Sequence, residues 1–168
     1  MERLWAPWRL DYVTSQQPEG CIFCRKLAAD DDVANHVLYR GQHNALLLNT
    51  FPYNSGHLMV VAYAHVAELT ELPPEARAEM MELAAIAAKA LKQALHCDGL
   101  NIGMNVGQAA GAGISEHIHL HIVPRWQGDT NFMATVFGTR VVPQSLDASY
   151  EQLAPIIKEV AEVSAGNG

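Results

Sequence analysis

The chain has 168 residues, 49% of them hydrophobic, which is a size at which one core buries most of a polypeptide. With 18 acidic and 11 basic residues it carries a net charge of −7, and this argues against binding along an extended nucleic-acid backbone. No apolar stretch is long enough to span a bilayer, and the N-terminus lacks a signal-peptide core. The sequence therefore predicts a single cytoplasmic domain over residues 1–168, without nucleic-acid or membrane partners, and any bound nucleotide should be small.

The N-terminal segment, residues 1–20, contains Leu4-Trp5-Ala6-Pro7-Trp8-Arg9, with two of the three tryptophans. It is too short to form a core, so we expect it to pack on the domain or on a second subunit. The acidic residues Asp30–Asp32 predict a loop. Two short strands are then predicted, Val37–Tyr39 and Ala45–Asn49, joined by a turn. The apolar stretch His57–Tyr63 predicts a third strand.

The spacing of the apolar residues changes in the middle of the chain. Between Pro73 and His96, apolar residues return every three or four positions, which predicts one long amphipathic helix. Asp98-Gly99 is predicted to provide the left-handed stop just past its end. Two strands, 100–106 and 117–123, and a C-terminal helix over 149–163 are predicted to follow. Strands in runs around one long helix indicate an α+β domain with a largely antiparallel sheet.

Three histidines alternate with branched apolar residues in His117-Ile118-His119-Leu120-His121. On a strand they would share one face, with neighbours ~6.6 to 7 Å apart and the outer imidazoles roughly 13 Å apart. They could then lie along a polyphosphate, with one nitrogen aimed at phosphorus. The alternatives are partly buried histidines with one hydrogen bond each, or a zinc site completed by a ligand elsewhere. A loop with three glycines, 107–113, ends just before the row and favours phosphate chemistry, because such loops present N–H groups to phosphate oxygens.

The cysteines divide into a pair and a single residue. Cys21 and Cys24 have the C-x-x-C spacing that lets two thiolates share one zinc ion. Two more ligands would be needed, so two packed thiols remain the alternative. Cys97 is expected to pack in the core.

Taken together, these residues resemble the histidine triad (HIT) family, whose signature is H-x-H-x-H-x-x with branched apolar residues between the histidines. The resemblance covers about residues 21–140, including Leu48-Asn49, Gly56-His57, Asn105-Val106-Gly107, Pro124-Arg125-Trp126 and Gly128-Asp129. It implies a HIT-like α+β fold, in which a five-stranded antiparallel sheet with one long and one C-terminal helix pairs with a second copy into a ten-stranded dimer. The substrate it implies is a nucleotide joined through its α-phosphate to a leaving group. The greatest similarity is to bacterial enzymes that hydrolyse or phosphorolyse diadenosine polyphosphates.

The resemblance also implies a role for each histidine of the row. His119 would be the nucleophile that forms a nucleotidyl-histidine, and His117 would orient it. His121 would contact the phosphate or the bridging oxygen. His57 is expected near the row, in a structural hydrogen bond.

Nucleotide contacts are implied for Asn49, which would bind the ribose hydroxyls, and for Asn105, which would bind phosphate or the leaving group. Backbone N–H groups at Gly107, Gly111 and Gly113 would stabilise developing negative charge. This sequence departs from the family's pattern at Gly113, because relatives usually carry a hydroxyl or amide side chain at this position, four residues before the first histidine. Arg125 would either compensate or pair with an acidic residue.

Zinc-bearing members of the family add two histidines to a C-x-x-C pair. Here that implies a structural zinc ion held by Cys21, Cys24, His65 and His117, with no part in the chemistry. His117 would then be both a ligand and the residue that orients the catalytic strand.

Other functions fit the same residues. A nucleoside phosphoramidase or another nucleotidyltransferase of the same fold would differ in its products. A non-catalytic nucleotide-binding or interaction protein would turn over slowly on its best substrate. A zinc hydrolase that used the row as catalytic ligands would lose activity at once on chelation, whereas loss of a structural zinc would lower stability.

Overall fold

The computed structural model describes residues 20–129 and 144–166. Its helices are α1 (Ile22–Ala28), α2 (Asp32–Asn35), α3 (Pro74–Leu95) and α4 (Leu146–Ala165). Its strands are β1 (Val37–Arg40), β2 (Asn44–Leu48), β3 (Leu58–Ala62), β4 (Gly99–Gly103) and β5 (His119–Arg125). The tryptophan-rich segment and residues 130–140 lie outside these ranges, so the assignment of residues 1–168 to one domain stays a prediction.

The strands form one antiparallel sheet in the order β1-β2-β3-β5-β4, which confirms the predicted five-stranded architecture. Every residue of β2 and β3 is buried, because both faces of the sheet centre are covered. The larger core lies between the sheet and helices α3 and α4, and includes Leu46, Leu91 and Ile157. A smaller core lies on the other face, where Phe23 of α1 packs with Leu47, Met59 and their neighbours. None of the described helices is apolar over a length that would cross a membrane.

The observed elements follow the predicted ones with local differences. The loop predicted at Asp30–Asp32 is partly helical, since α2 begins at Asp32 and the Asp31 carboxylate accepts the Ala34 N–H at 3.0 Å. The preceding helix α1 was not predicted. Strand β4 ends at Gly103 instead of residue 106, and β5 begins at His119 instead of residue 117.

The prediction that Asp98-Gly99 provides the left-handed end of the long helix was wrong. The left-handed residue is His96, with φ 49°, and its N–H donates to the Lys92 carbonyl; Gly99 instead opens β4. The chain must turn this early because Cys97, the next residue, enters the core with 8% of its surface exposed. That burial also confirms the packing role expected for Cys97.

Candidate active site and metal centre

A cluster of four potential metal ligands joins α1 to the sheet. Cys21 and Cys24 come from the start of α1, His65 follows β3, and His117 precedes β5, with all four ligand atoms within 4.8 Å of one another. Cys21 Sγ lies 3.2 Å from His117 Nδ1, and Cys24 Sγ lies 3.3 Å from His65 Nδ1. The structure therefore brings together the four residues named from the sequence, and they could hold a metal ion.

The spacing and protonation of the cluster both suit a metal. Four ligands at Zn–N and Zn–S bond lengths form a tetrahedron with edges of about 3.3 to 3.8 Å. The two histidine Nδ1 atoms are 3.2 Å apart, and Cys24 Sγ is 3.6 Å from His117 Nδ1. His117 Nε2 is 2.8 Å from the Ala62 carbonyl oxygen, which can only accept, so Nε2 carries the proton and Nδ1 presents its lone pair to the cluster.

His119, the middle histidine, is held by the backbone of the first. Its Nδ1 donates to the carbonyl of His117 at 2.8 Å, which leaves the lone pair on Nε2. Burial lowers the pKa of His119, although the hydrogen bond to the carbonyl opposes this effect. His119 is therefore a neutral imidazole near pH 7 with a nucleophilic nitrogen. Since the His117 side chain faces the cluster, it is the carbonyl of His117 that orients His119.

His121 has the opposite tautomer, and His57 sets it. The Tyr53 N–H donates to His57 Nδ1 at 3.0 Å, so the His57 proton is on Nε2, which lies 3.0 Å from His121 Nδ1. The proton of His121 is therefore on Nε2. Burial and the neighbouring histidines lower the pKa of His57 to about 3, and burial together with His119 lowers that of His121 to about 4, so both are neutral near pH 7. The two ring centroids of His119 and His121 are 4.8 Å apart, which places a ring with an Nε2 lone pair beside a ring with an Nε2–H.

A cavity of about 380 Å³ opens beside these two histidines. Part of its lining is apolar and comes from one cluster, in which Ile22 and Phe23 of α1 pack against Leu47 and Met59 of the sheet. Such a cavity suits a flat base on the apolar side and phosphate groups on the histidine side.

Phe23 connects the cavity to both histidine sites. Its ring centroid lies 4.9 Å from that of His119 and 5.4 Å from that of His117, and only 4% of its surface is exposed. The cluster of four potential ligands, which includes Cys21 and Cys24 at the start of α1, therefore lies next to the part of the cavity that Phe23 lines.

The predicted nucleotide contacts divide into two groups. Asn49 and Gly113 line the cavity, whereas Asn105, Gly107 and Gly111 lie in the loop after β4 and are not among its lining residues. The Asn49 carboxamide accepts the Phe51 N–H at 2.9 Å through Oδ1, and its Nδ2 is 3.3 Å from His57 Nδ1. It therefore also supports the histidine network.

Several lining residues were missed from the sequence, among them Lys26 and Ser115. Lys26 Nζ donates to Thr50 Oγ1 and to the Asn35 carbonyl, both at 3.1 Å, and burial lowers its pKa. No sequence pattern pointed to Lys26 or Ser115, because a single lysine on a short helix and a serine in a loop have no distinctive spacing.

Arg125 pairs with an acidic residue, one of the two roles considered for it. Its Nε and one terminal nitrogen donate to the Asp129 carboxylate at 2.6 and 2.8 Å, which holds the pKa of Asp129 well below its usual value. A second terminal nitrogen donates to Asn101 Oδ1 of β4 at 2.8 Å. These contacts fix the turn after β5 to the edge of the sheet.

Comparisons with known proteins agree with this geometry. The HIT domain family matches residues 31–128. A protein of Mycobacterium tuberculosis named AP-4-A phosphorylase is 36% identical over 162 residues, which are 92% of this chain and 83% of that relative.

Solved structures show the same fold. A Zn-bound histidine triad family protein from Mycobacterium smegmatis matches with a TM-score of 0.70 and 31% identity, covering 86% of this chain and 97% of the other. A hypothetical histidine triad nucleotide-binding protein from Sulfolobus tokodaii matches with a TM-score of 0.62 and 28% identity, covering 85% of this chain and 93% of the other.

Proposed function

Because the chain belongs to the HIT domain family, we propose that it cleaves dinucleoside polyphosphates, with diadenosine tetraphosphate as the representative substrate, through a nucleotide covalently bound to His119. The observation that carries the proposal is the pair of opposite tautomers in the cavity. His119 presents an Nε2 lone pair, and His121 presents an Nε2–H. The similarity to a protein named AP-4-A phosphorylase supports this choice of substrate.

The first half of the reaction follows from these positions. The His119 Nε2 lone pair attacks the α-phosphorus, a P–N bond forms, and the bond from phosphorus to the bridging oxygen breaks. The electron pair leaves with that oxygen as ATP, while the Nε2–H of His121 donates a hydrogen bond to the developing charge. In the second half, an oxygen of water or inorganic phosphate attacks the phosphorus, and the P–N electron pair returns to His119.

Nucleoside binding is assigned to the apolar side of the cavity. The base would lie against the apolar cluster that Ile22 and Phe23 form with Leu47 and Met59. Asn49 directly follows β2 and lines the cavity, and it is assigned to the ribose hydroxyls. The predicted contacts at Asn105, Gly107 and Gly111 stay predictions.

We assign zinc to the Cys₂His₂ cluster of Cys21, Cys24, His65 and His117. Two thiolates and two imidazoles within tetrahedral reach are a donor set that zinc prefers. The ion would supply a cross-link between α1 and the start of β5 and no chemistry. Zinc-binding thiols suit a reducing compartment, which supports the cytoplasmic assignment.

We also propose a homodimer built on the outer edge of β4. Among the described strands, β4 pairs only with β5, so its other edge is open. Ile102 of this strand has 45% of its surface exposed, and Val106 beyond it has 38%. Addition of a second copy at this edge would satisfy the backbone and cover the apolar side chains, giving a ten-stranded sheet.

The test of the catalytic proposal uses diadenosine tetraphosphate labelled on both α-phosphates. We expect the wild type to release ATP and to retain label on denatured protein, as an acid-labile phosphoramidate, and His119→Ala to do neither. His43→Ala, a change outside the cavity lining, is the matched histidine control. An active, unlabelled His119→Ala protein would refute the mechanism, and an inactive wild type would refute the substrate and direct attention to phosphoramidates.

A further inference from the structure

Lys26 brings a partly buried cation into the cavity lining. Its neighbours of fixed charge in the described lining are Arg25 and Glu116, which are both exposed, whereas Lys26 is half-buried. Lys26 Nζ donates to the Asn35 carbonyl and to Thr50 Oγ1, both at 3.1 Å, and it forms no ion pair with a carboxylate of residues 20–129 and 144–166. An ammonium group whose protein partners are neutral oxygens retains a preference for one more acceptor.

Thr50 supplies a second donor beside Lys26. An ammonium group can only donate, so Thr50 Oγ1 accepts from it and the Thr50 O–H is left to donate elsewhere. That O–H has no acceptor in the part of the chain that the structure describes, and neither has the third N–H of Lys26. Both residues line the cavity. The cavity therefore contains two adjacent donors whose acceptor is not supplied by the described residues.

These two donors lie beside the apolar cluster to which the base is assigned. Lys26 is four residues after Ile22 on α1, so the two side chains share one face of the helix, with Cβ atoms about 5 to 6 Å apart. Thr50 directly follows Asn49, which is assigned to the ribose. Because the face of the base would be in contact with Ile22 and Phe23, the groups within reach of Lys26 and Thr50 are those on its edge.

The two purines differ at the edge that carries N7. Guanine presents two adjacent acceptors there, N7 and O6, whereas adenine presents the acceptor N7 beside an N6–H₂ donor. Two adjacent donors satisfy both positions of guanine, but with adenine one donor would face another. A matched pair of this kind discriminates between bases by about tenfold or more.

We propose that Lys26 and Thr50 select guanine over adenine at the His119 end of the substrate, so that guanosine-containing dinucleoside polyphosphates belong to its substrate class. The third N–H of Lys26 donates to one of the two guanine acceptors, and the O–H of Thr50 donates to the other. The inference rests on the proposed function for the position of the base, and it adds the residues that determine which nucleotide is transferred to His119.

A mixed dinucleotide, adenosine guanosine tetraphosphate, allows the two bases to compete within one substrate. Transfer of the guanosine half to His119 releases ATP, and transfer of the adenosine half releases GTP. The initial ratio of ATP to GTP therefore reports which base occupied the cavity, whatever fraction of a variant is folded and whichever acceptor follows. We expect an excess of ATP of about tenfold in the wild type, and a ratio close to unity in Lys26→Met and in Thr50→Val.

Lys89→Met is the matched control, because Lys89 is an exposed lysine of α3 outside the cavity lining. Its ratio should equal that of the wild type. A wild-type ratio at or below unity would overturn the inference, as would an excess of ATP that both Lys26→Met and Thr50→Val retain.

A binding measurement separates this inference from the proposed mechanism, because it needs no covalent step. In calorimetric titrations of His119→Ala, GMP should bind about tenfold more tightly than AMP, and adding Lys26→Met should remove the difference. Equal affinities of His119→Ala for the two nucleotides would overturn the inference. If GMP binds more tightly but the wild type releases neither ATP nor GTP, the proposed function fails while the base selection by Lys26 and Thr50 stands.

Discussion

The hydrogen bond from His57 to His121 predicts that two similar variants of His57 will differ in rate. In His57→Gln, an amide N–H remains near the place of the imidazole Nε2–H, whereas His57→Asn retains only an acceptor near the place of Nδ1. The asparagine can still accept the Tyr53 N–H, but His121 Nδ1 loses its donor. The His121 ring is then no longer fixed in the tautomer that carries its proton on Nε2.

The magnitude follows from the interaction that is lost. A buried hydrogen bond between neutral groups contributes about 0.5 to 1.5 kcal/mol, or up to about tenfold in rate, and the whole contribution of a general acid is about 10² to 10⁴. We therefore expect kcat to fall about tenfold in His57→Asn and less than about threefold in His57→Gln. KM should change little in either, because His57 does not line the cavity.

The assay is steady-state turnover of diadenosine tetraphosphate, with kcat and KM determined separately. Urea unfolding of both variants establishes that they remain folded at the assay temperature. Equal kcat values for the asparagine and glutamine variants would refute the reasoning, since it depends on the N–H that only glutamine retains. An effect confined to KM would show instead that His57 shapes the binding site.

Three further predictions concern the metal, the pH dependence and the assembly. Cys24→Ser, or chelation of the wild type, should remove about one zinc ion per chain and lower Tm by more than about 10 °C, because the ion ties α1 to β5; an unchanged melting curve would contradict a structural metal. The free energy of unfolding should fall as pH drops from 6.5 toward 4, because His57 has a pKa of about 3 when folded and takes up its proton only in the unfolded chain. His57→Gln should remove about 1.4 kcal/mol per pH unit of that slope in urea titrations, and parallel slopes would rule out this titration. Ile102→Asp on the exposed edge of β4 should convert the proposed dimer to a monomer in sedimentation equilibrium; a wild type that is already monomeric at micromolar concentration would contradict the ten-stranded sheet.

The sequence alone determined the fold class and the main elements, because both depend on local patterns. The period of the apolar residues in the long helix and their alternation with histidines in β5 are visible without tertiary contacts. Short helices such as α2 carry too few residues for a period, and that is why the segment was predicted as a loop. The stop at His96 was missed for another reason, since burial of Cys97 overrides the preference of glycine for the left-handed region.

The four residues of the proposed metal site were named from the sequence only through the family resemblance, because nothing local relates His65 to Cys21 and Cys24. Only the tertiary structure brings their ligand atoms within 4.8 Å. The protonation of His119 and His121 was likewise beyond the sequence. The row His119 and His121 consists of identical side chains on one strand, and spacing cannot tell which nitrogen of each carries a proton. The carbonyl of His117 places the proton of His119 on Nδ1, and the N–H of His57 places the proton of His121 on Nε2. Both contacts depend on how β3 and β5 pair.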